Sequence, residues 1–369
     1  MMKTIGLKLV KTVDESYPIY LGTGIYRNSI EKIIGEAAPS SVAFISDSRV
    51  GAIYFDSLRA LHIDCPVSYL TFKAGEKQKN IGTVTGLFSG LVKSKLDRKS
   101  LIIAFGGGVT GDVAGFLASI YLRGIPFVQV PTSLLAMVDS SIGGKTGVDT
   151  AEGKNLLGRF CQPEAVIIDI EFLSTLPRPE LVNGMAEIIK HALIKDPDYY
   201  RSVRDNPGKV LALDRSFLSE IVEASCRIKA EVVEKDEKEA GLRQILNFGH
   251  TAGHAIEKAS RFRVPHGYAV AMGMIVESHI SFSRGLLSRD DLEGITKIVS
   301  LYGLDRYVHL VKRISPAKIA AASITDKKNV GGVIRAVLLR KTGEVFRDGG
   351  AYSSAVSLKE IEAGLDYLG

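Results

Sequence analysis

The strongest constraint on this chain is the run Ser100–Phe105 (SLIIAF), which passes directly into Gly106-Gly107-Gly108-Val109-Thr110-Gly111-Asp112. A continuous apolar run without alternation describes a strand covered on both faces, the habit of a parallel sheet flanked by helices. Four further runs repeat the pattern: Val42–Ser46, Pro66–Phe72, Phe127–Val130 (stopped by Pro131) and Val166–Ile170. Helical periodicity separates them, as in Asn80–Lys95. The first half therefore reads as an α/β nucleotide-binding domain with a parallel sheet. After Pro179 the signal changes. Glu180–Lys195, Phe217–Lys235, His250–Ala259, Gly267–Ser283 and Arg289–Tyr302 all read as helices, with one late strand over Val333–Leu339. A length of 369 residues favours two domains. The boundary falls at Thr175–Pro179, giving an α/β domain over 1–178 and a mainly helical metal- and substrate-binding domain over 179–369.

Gly106, Gly108 and Gly111 match G-x-G-x-x-G between a strand and a helix that continues through Ala114–Tyr121. Glycines there let the backbone approach a pyrophosphate, which the helix amides then bind. About 20 residues later an ordinary dinucleotide fold supplies an acid for the ribose. Here the sequence reads Val130-Pro131. Asp47, at the end of an earlier strand, is the alternative ribose acid. The competing reading is a glycine turn made only for tight packing.

The second half carries a metal signature. His250 and His254 are one helical turn apart, and His266 follows in Pro265-His266-Gly267, so three of the seven histidines fall within seventeen residues. Glu187 shares a helical face with Lys190 and His191. A catalytic zinc takes three protein ligands and keeps one open position, which Glu187 and two of the three histidines satisfy. Spacing leaves open which two. His62, His191, His279 and His309 read as structural.

Charge narrows the partners. The net charge is +6, yet no Lys/Arg run exceeds two residues, which argues against nucleic acid and for small anions. The cationic candidates are Arg123, Lys145, Lys154, Lys190, Lys229 and Arg243; glycines adjoin Lys145 and Lys154. Three widely spaced cysteines fit a reducing cytoplasm. The N-terminus meets lysine and acid too early for a signal peptide. Leu101–Leu122 is the only stretch that mimics a membrane span, and Asp112 and five glycines argue against one.

Six segments, GGGVTGDVAGF, YLRGIPFVQVPTSLLAMVDSSIGGKTGV, GKNLLGRFCQP, NGMAEIIKHALI, LRQILNFGHTAGHAIE and HGYAVAMGM, resemble the 3-dehydroquinate synthase family of the sugar phosphate cyclases. They occur in the family's order between Phe72 and Val276. The resemblance implies a homodimer that binds NAD and a divalent metal, zinc or cobalt. It also implies conversion of 3-deoxy-D-arabino-heptulosonate 7-phosphate to 3-dehydroquinate and phosphate, in the shikimate pathway. The implied steps are transient oxidation by NAD, β-elimination, reduction, ring opening and aldol closure.

Carried onto matching positions, the metal ligands are Glu187, His250 and His266, with His254 near the phosphate. The substrate positions are Arg123, Asp139, Lys145, Lys154, Asn155, Lys190, Lys229, Arg243 and Asn247, with one lysine of Lys327-Lys328. The NAD positions are Asp47, Glu76, Lys79, Gly107, Gly108, Asp112, Thr132, Ser133 and Thr175. Two positions depart from the family pattern: Tyr268 stands where many members carry Glu, and Ser133 where Thr is commoner. The rival readings are a cyclase for a sedoheptulose 7-phosphate-type substrate, a metal-dependent polyol dehydrogenase that accumulates NADH, and a non-catalytic nucleotide-binding scaffold.

Overall fold

The computed structural model describes residues 2, 4–9, 12–324 and 333–368; Lys327 and Lys328 lie outside them. The first half contains β1 (Ile19–Gly22), α1 (Tyr26–Ala37), β2 (Val42–Asp47), α2 (Ser48–Arg59), β3 (Val67–Phe72), α3 (Ile81–Lys93), β4 (Leu101–Gly106), α4 (Gly108–Ile120) and β5 (Phe127–Pro131). A hairpin of β6 (Lys145–Val148) and β7 (Leu157–Phe160) follows, then β8 (Ala165–Asp169).

Six strands form one sheet in the order β1-β8-β5-β4-β2-β3, and its pairings are parallel. All residues of β4, β5 and β8 are buried, as unbroken apolar runs require. The strand period of two divides them between faces. Phe44, Leu101, Ile103 and Phe105 enter one core, whereas Ala43, Ile45, Ile102 and Ala104 enter the other with Leu91 of α3 and Leu117 of α4. The first core continues without a break through Met137 and Met185 into the helical half.

Two elements of this half escape the sequence reading. The edge strand β1 has only four half-buried residues, and its partner Val166–Asp169 lies far along the chain. The β6–β7 hairpin is antiparallel and pairs Lys145 with Phe160, so Lys145 opens a strand where the sequence reads as a glycine-rich loop. The helix after the glycines also begins at Gly108, earlier than the expected Ala114.

The second half contains α5 (Arg178–Lys195), α6 (Pro197–Asp205), α7 (Pro207–Leu211), α8 (Arg215–Lys235), α9 (His250–Ala259), α10 (His266–Ser283), α11 (Arg289–Leu301), α12 (Val308–Val311), α13 (Pro316–Ser323) and α14 (Leu358–Asp366). The late strand expected over Val333–Leu339 is broken. Arg335–Ala336 pairs with Ser354–Ala355, and Leu339–Lys341 with Glu344–Val345, each as a separate antiparallel pair. Among the described residues, no helix is long and apolar enough to cross a membrane.

The crossing of α9 over α10 sets the site. Gly249, just before α9, has φ +78°, and a Cβ there would lie 2.7 Å from the Val270 carbonyl oxygen. A Cβ on Gly273 would fall on the Gly249 carbonyl oxygen. Glycine at both positions lets the backbones touch. That contact brings the first turn of α9 against α10.

Candidate active site

The candidate dinucleotide residues gather at the carboxyl ends of the parallel strands. Asp47 ends β2, Glu76 and Lys79 follow β3, Gly107 and Gly108 follow β4, Thr132 and Ser133 follow β5, and Thr175 follows β8. The chain leaves β2 for β3 on one side and β4 for β5 on the other, which makes a switch-point crevice at that edge. Gly107 offers α4 no side-chain cap, so the first-turn amides are left for an anion. Gly111 presses on the sheet: a Cβ there would lie 2.7 Å from Gln129 Oε1.

Asp47 Oδ1 accepts from the amides of Arg49 (2.8 Å) and Val50 (3.1 Å), so it also caps α2. Thr175 Oγ1 lies 2.7 Å from the Tyr54 hydroxyl. Lys79 is buried in an ion pair with Asp112. Burial pulls the Lys79 ammonium down, but Asp112 and Glu76 outweigh it and hold the pKa above its ordinary value. Glu76, Lys79, Asn80, Asp149, Thr150 and Leu157 line a cleft of about 420 Å³.

The metal candidates converge from three helices. Glu187 projects from the middle of α5, His250 from the first residue of α9 and His266 from the first residue of α10. Their ligand atoms all lie within 4.8 Å of one another. His250 Nε2 is 3.7 Å and His266 Nε2 is 3.6 Å from Glu187 Oε1. That oxygen is fully buried and among the described residues has no hydrogen-bond partner, an expensive state for a carboxylate unless a cation completes it. One carboxylate and two imidazoles around such an atom fit a divalent zinc-like ion.

His254 does not group with Glu187; it falls instead with Glu257 and His266. Glu187 Oε2 pairs with Lys190, buried beside it. Burial alone would raise the Glu187 carboxyl, but Lys190 and His266 hold it well below its ordinary range.

The helix start that carries His250 is anchored from α10. Buried Glu277 accepts from the amides of Gly249 (2.7 Å), Thr251 (3.1 Å) and Ala252 (3.2 Å). A carboxylate at a helix N-terminus satisfies orphan donors and complements the dipole.

Cations surround the ligand group. Lys229 donates to Asp139 Oδ1 at 2.5 Å and to the Asp139 carbonyl, across from a π-helical turn at Ala136–Ser140. Burial would raise Asp139, yet Lys229 and Lys190 keep it ionised. Burial also lowers the Lys229 ammonium, and Asp139 only partly restores it. Lys145 and Asn247 both reach the Glu239 carboxylate, one oxygen each. Buried Arg243 donates to Gly143 O at 3.0 Å. Lys154 Nζ lies 2.9 Å from Glu257 Oε1, and the Asn155 amide bonds Asp149 Oδ1 at 2.9 Å.

Arg123 stands apart. It lies on an exposed turn after α4 at φ +75°, and among the described residues no hydrogen bond or ion pair joins it to the cluster. Tyr268 is a packing residue: its hydroxyl donates to Pro179 O at 3.2 Å and its ring meets Tyr307 edge-on.

Sequence reasoning misses Glu239, Glu257, Glu277 and the environment of His191. Only Glu257 had a usable signal, because it sits three residues after His254 on the same helix face. His191 is fully buried, and among the described residues neither ring nitrogen has a hydrogen-bond partner. Burial and the neighbouring Lys190 push its pKa down to about 3.

Residues 69–183 match the model of the 3-dehydroquinate synthase N-terminal region, and residues 184–329 that of the C-terminal region. A 3-dehydroquinate synthase of Symbiobacterium thermophilum is 44% identical over 337 residues, covering 90% of this chain and 93% of the relative. The chain belongs to the 3-dehydroquinate synthase family.

A second family member, from Pelobacter propionicus, is 42% identical over 90% of this chain and 92% of its own length. Among solved structures, the 2-epi-5-epi-valiolone synthase of Streptomyces hygroscopicus, with NAD+ and Zn2+ bound, superposes with TM-score 0.87 at 28% identity, covering 98% of this chain and 99% of that one. A 2-deoxy-scyllo-inosose synthase complexed with carbaglucose-6-phosphate, NAD+ and Co2+ gives TM-score 0.85 at 28% identity, covering 95% and 96%. An iron-containing alcohol dehydrogenase of Corynebacterium glutamicum shares the fold, with TM-score 0.65 at 13% identity over 98% of this chain and 97% of that one.

Proposed function

We propose that this family member converts 3-deoxy-D-arabino-heptulosonate 7-phosphate to 3-dehydroquinate and phosphate. The observation that carries the reading is the buried Glu187 oxygen facing both His250 and His266, with Lys190 paired to the same carboxylate and Lys229 to Asp139. Glu187, His250 and His266 would hold a divalent cation, zinc or cobalt. Asp47, Glu76, Lys79, Gly107, Gly108, Asp112, Thr132, Ser133 and Thr175 would hold NAD. When bound, these groups supply a reversible hydride acceptor and Lewis-acid stabilisation of an oxygen.

The remaining work falls to side chains. Lys190 neutralises Glu187 and keeps it available as a ligand. Lys145 binds the phosphate, with His254 near it; Arg123, which stands apart from this cluster, is assigned to the phosphate by the family pattern alone. Lys154, Asn155, Lys229, Arg243 and Asn247 orient hydroxyls and carboxylate, with Asp139 holding Lys229 in place. Fixed orientation of this kind removes several kcal/mol of a barrier. Residues 1–178 serve as the nucleotide domain and 179–369 as the metal and substrate domain, in a cytoplasmic homodimer.

Relatives at 41–44% identity favour this substrate over those of the 28%-identical cyclases. The test is phosphate release from the heptulosonate phosphate with NAD and zinc. Phosphate should appear without net NADH. Accumulating NADH would favour a dehydrogenase, and no phosphate from folded, metal-loaded protein would remove the assignment.

A further inference from the structure

His266 stands between two carboxylates. Its Nε2 faces Glu187 Oε1 at 3.6 Å, and its Nδ1 faces Glu257 Oε2 at 3.4 Å. Glu257 lies on α9, is almost fully buried, and uses its other oxygen, Oε1, to hold Lys154 Nζ at 2.9 Å. Lys154 comes from the turn between β6 and β7, where Glu76 Oε1 also approaches it at 3.7 Å and the Phe262 ring lies beneath it at 4.7 Å. One buried carboxylate therefore bridges a candidate metal ligand and a candidate substrate cation.

We propose that Glu257 is a positioning residue that orients His266 for the cation and links the occupancy of that cation to the position of Lys154. The inference rests on the metal reading given above. An imidazole that offers Nε2 to a metal is fixed in tautomer and angle by the acceptor of its Nδ1–H, and that acceptor strengthens it as a ligand. Lys154 works against this by drawing charge toward Oε1 and by adding a positive charge near the cation. When an anionic substrate draws Lys154 away, Glu257 becomes the stronger acceptor for His266 and the cation binds more tightly. By reciprocity the cation tightens the anion by the same factor.

Cobalt titration followed by its visible spectrum, with ion stoichiometry measured alongside, tests the link. The wild-type chain should bind one ion. Glu257→Gln, which keeps size and removes charge, should weaken binding by about 10–100-fold and alter the spectrum. Lys154→Met should bind cobalt severalfold more tightly, and that gain should vanish when Glu257→Gln is added. The Lys154→Met arm reads the same link in a chain that retains Glu257, so it stands even where Glu257→Gln folds poorly.

A wild-type chain that binds no ion overturns the metal reading and this inference together. One bound ion with unchanged affinity and spectrum in Glu257→Gln overturns this inference alone, as does a Lys154→Met chain with unchanged affinity. A second ion lost specifically in Glu257→Gln would instead assign Glu257 as a ligand, together with His254 and His266, and would also overturn it.

Discussion

Replacing Glu277 should be among the most damaging changes outside the ligand set. Glu277 is 1% exposed, and its two oxygens receive three backbone amides at the start of α9. Glu277→Leu strands all three donors in the core, at about 1–3 kcal/mol each when unsatisfied. The three bonds share one carboxylate and are not additive, so a total of about 3–5 kcal/mol is expected. That is a large share of the roughly 5–15 kcal/mol that keeps a typical protein folded. Glu277→Gln keeps an oxygen for Thr251 and Ala252 but turns an amide group toward the Gly249 N–H. About half the loss should follow. Urea unfolding of both variants checks the order and size. Cobalt affinity reads the second consequence, because a loosened first turn displaces His250. A Glu277→Leu chain within about 0.5 kcal/mol of wild type would refute the reasoning, because that is the range of an ordinary surface change.

His250→Ala should lose the bound metal, whereas His254→Ala should retain it and lose phosphate affinity; metal analysis of the purified variants decides. The His191 pKa is depressed to about 3 from an ordinary 6.5, so its contribution to stability is complete above 6.5 and is lost as pH falls through that window. His191→Leu should therefore lose less stability than wild type between about pH 7 and pH 5 in urea titrations. Gly273→Ala should push α9 off α10 and cost about 1–3 kcal/mol, with weaker cobalt binding, because its methyl group meets the Gly249 carbonyl. Tyr268→Phe should cost only about 1 kcal/mol, the worth of the bond to Pro179, and leave the choice among sugar phosphates unchanged.

Much of the nucleotide half was legible because each central strand is apolar on both faces and announces itself locally. The edge strand β1 and the β6–β7 hairpin were not: each is four residues per strand, with partners or glycines that mask the pattern. The late strand read over Val333–Leu339 has the right residues, but they divide between two pairings. In the site, histidine spacing marked the metal region, and among the acids around it only Glu257, three residues after His254, left a trace in the sequence. Glu239 and Glu277 look like ordinary loop and helix glutamates until the fold pairs Glu239 with Lys145 and Asn247 and buries Glu277 against the amides of α9.

Periodicity and local chemistry were enough to specify the parallel sheet, the helical second half, the phosphate turn and the residue types for a metal. None of these needs a distant neighbour. Folding in three dimensions was required to group Glu187 with His250 and His266 and to set His254 beside Glu257, and likewise to pack Tyr268 against Pro179 and Tyr307. The reason is geometric: three helices start or pass at one point because Gly249 and Gly273 let two of them touch, and a contact between backbones distant in sequence leaves no periodic trace.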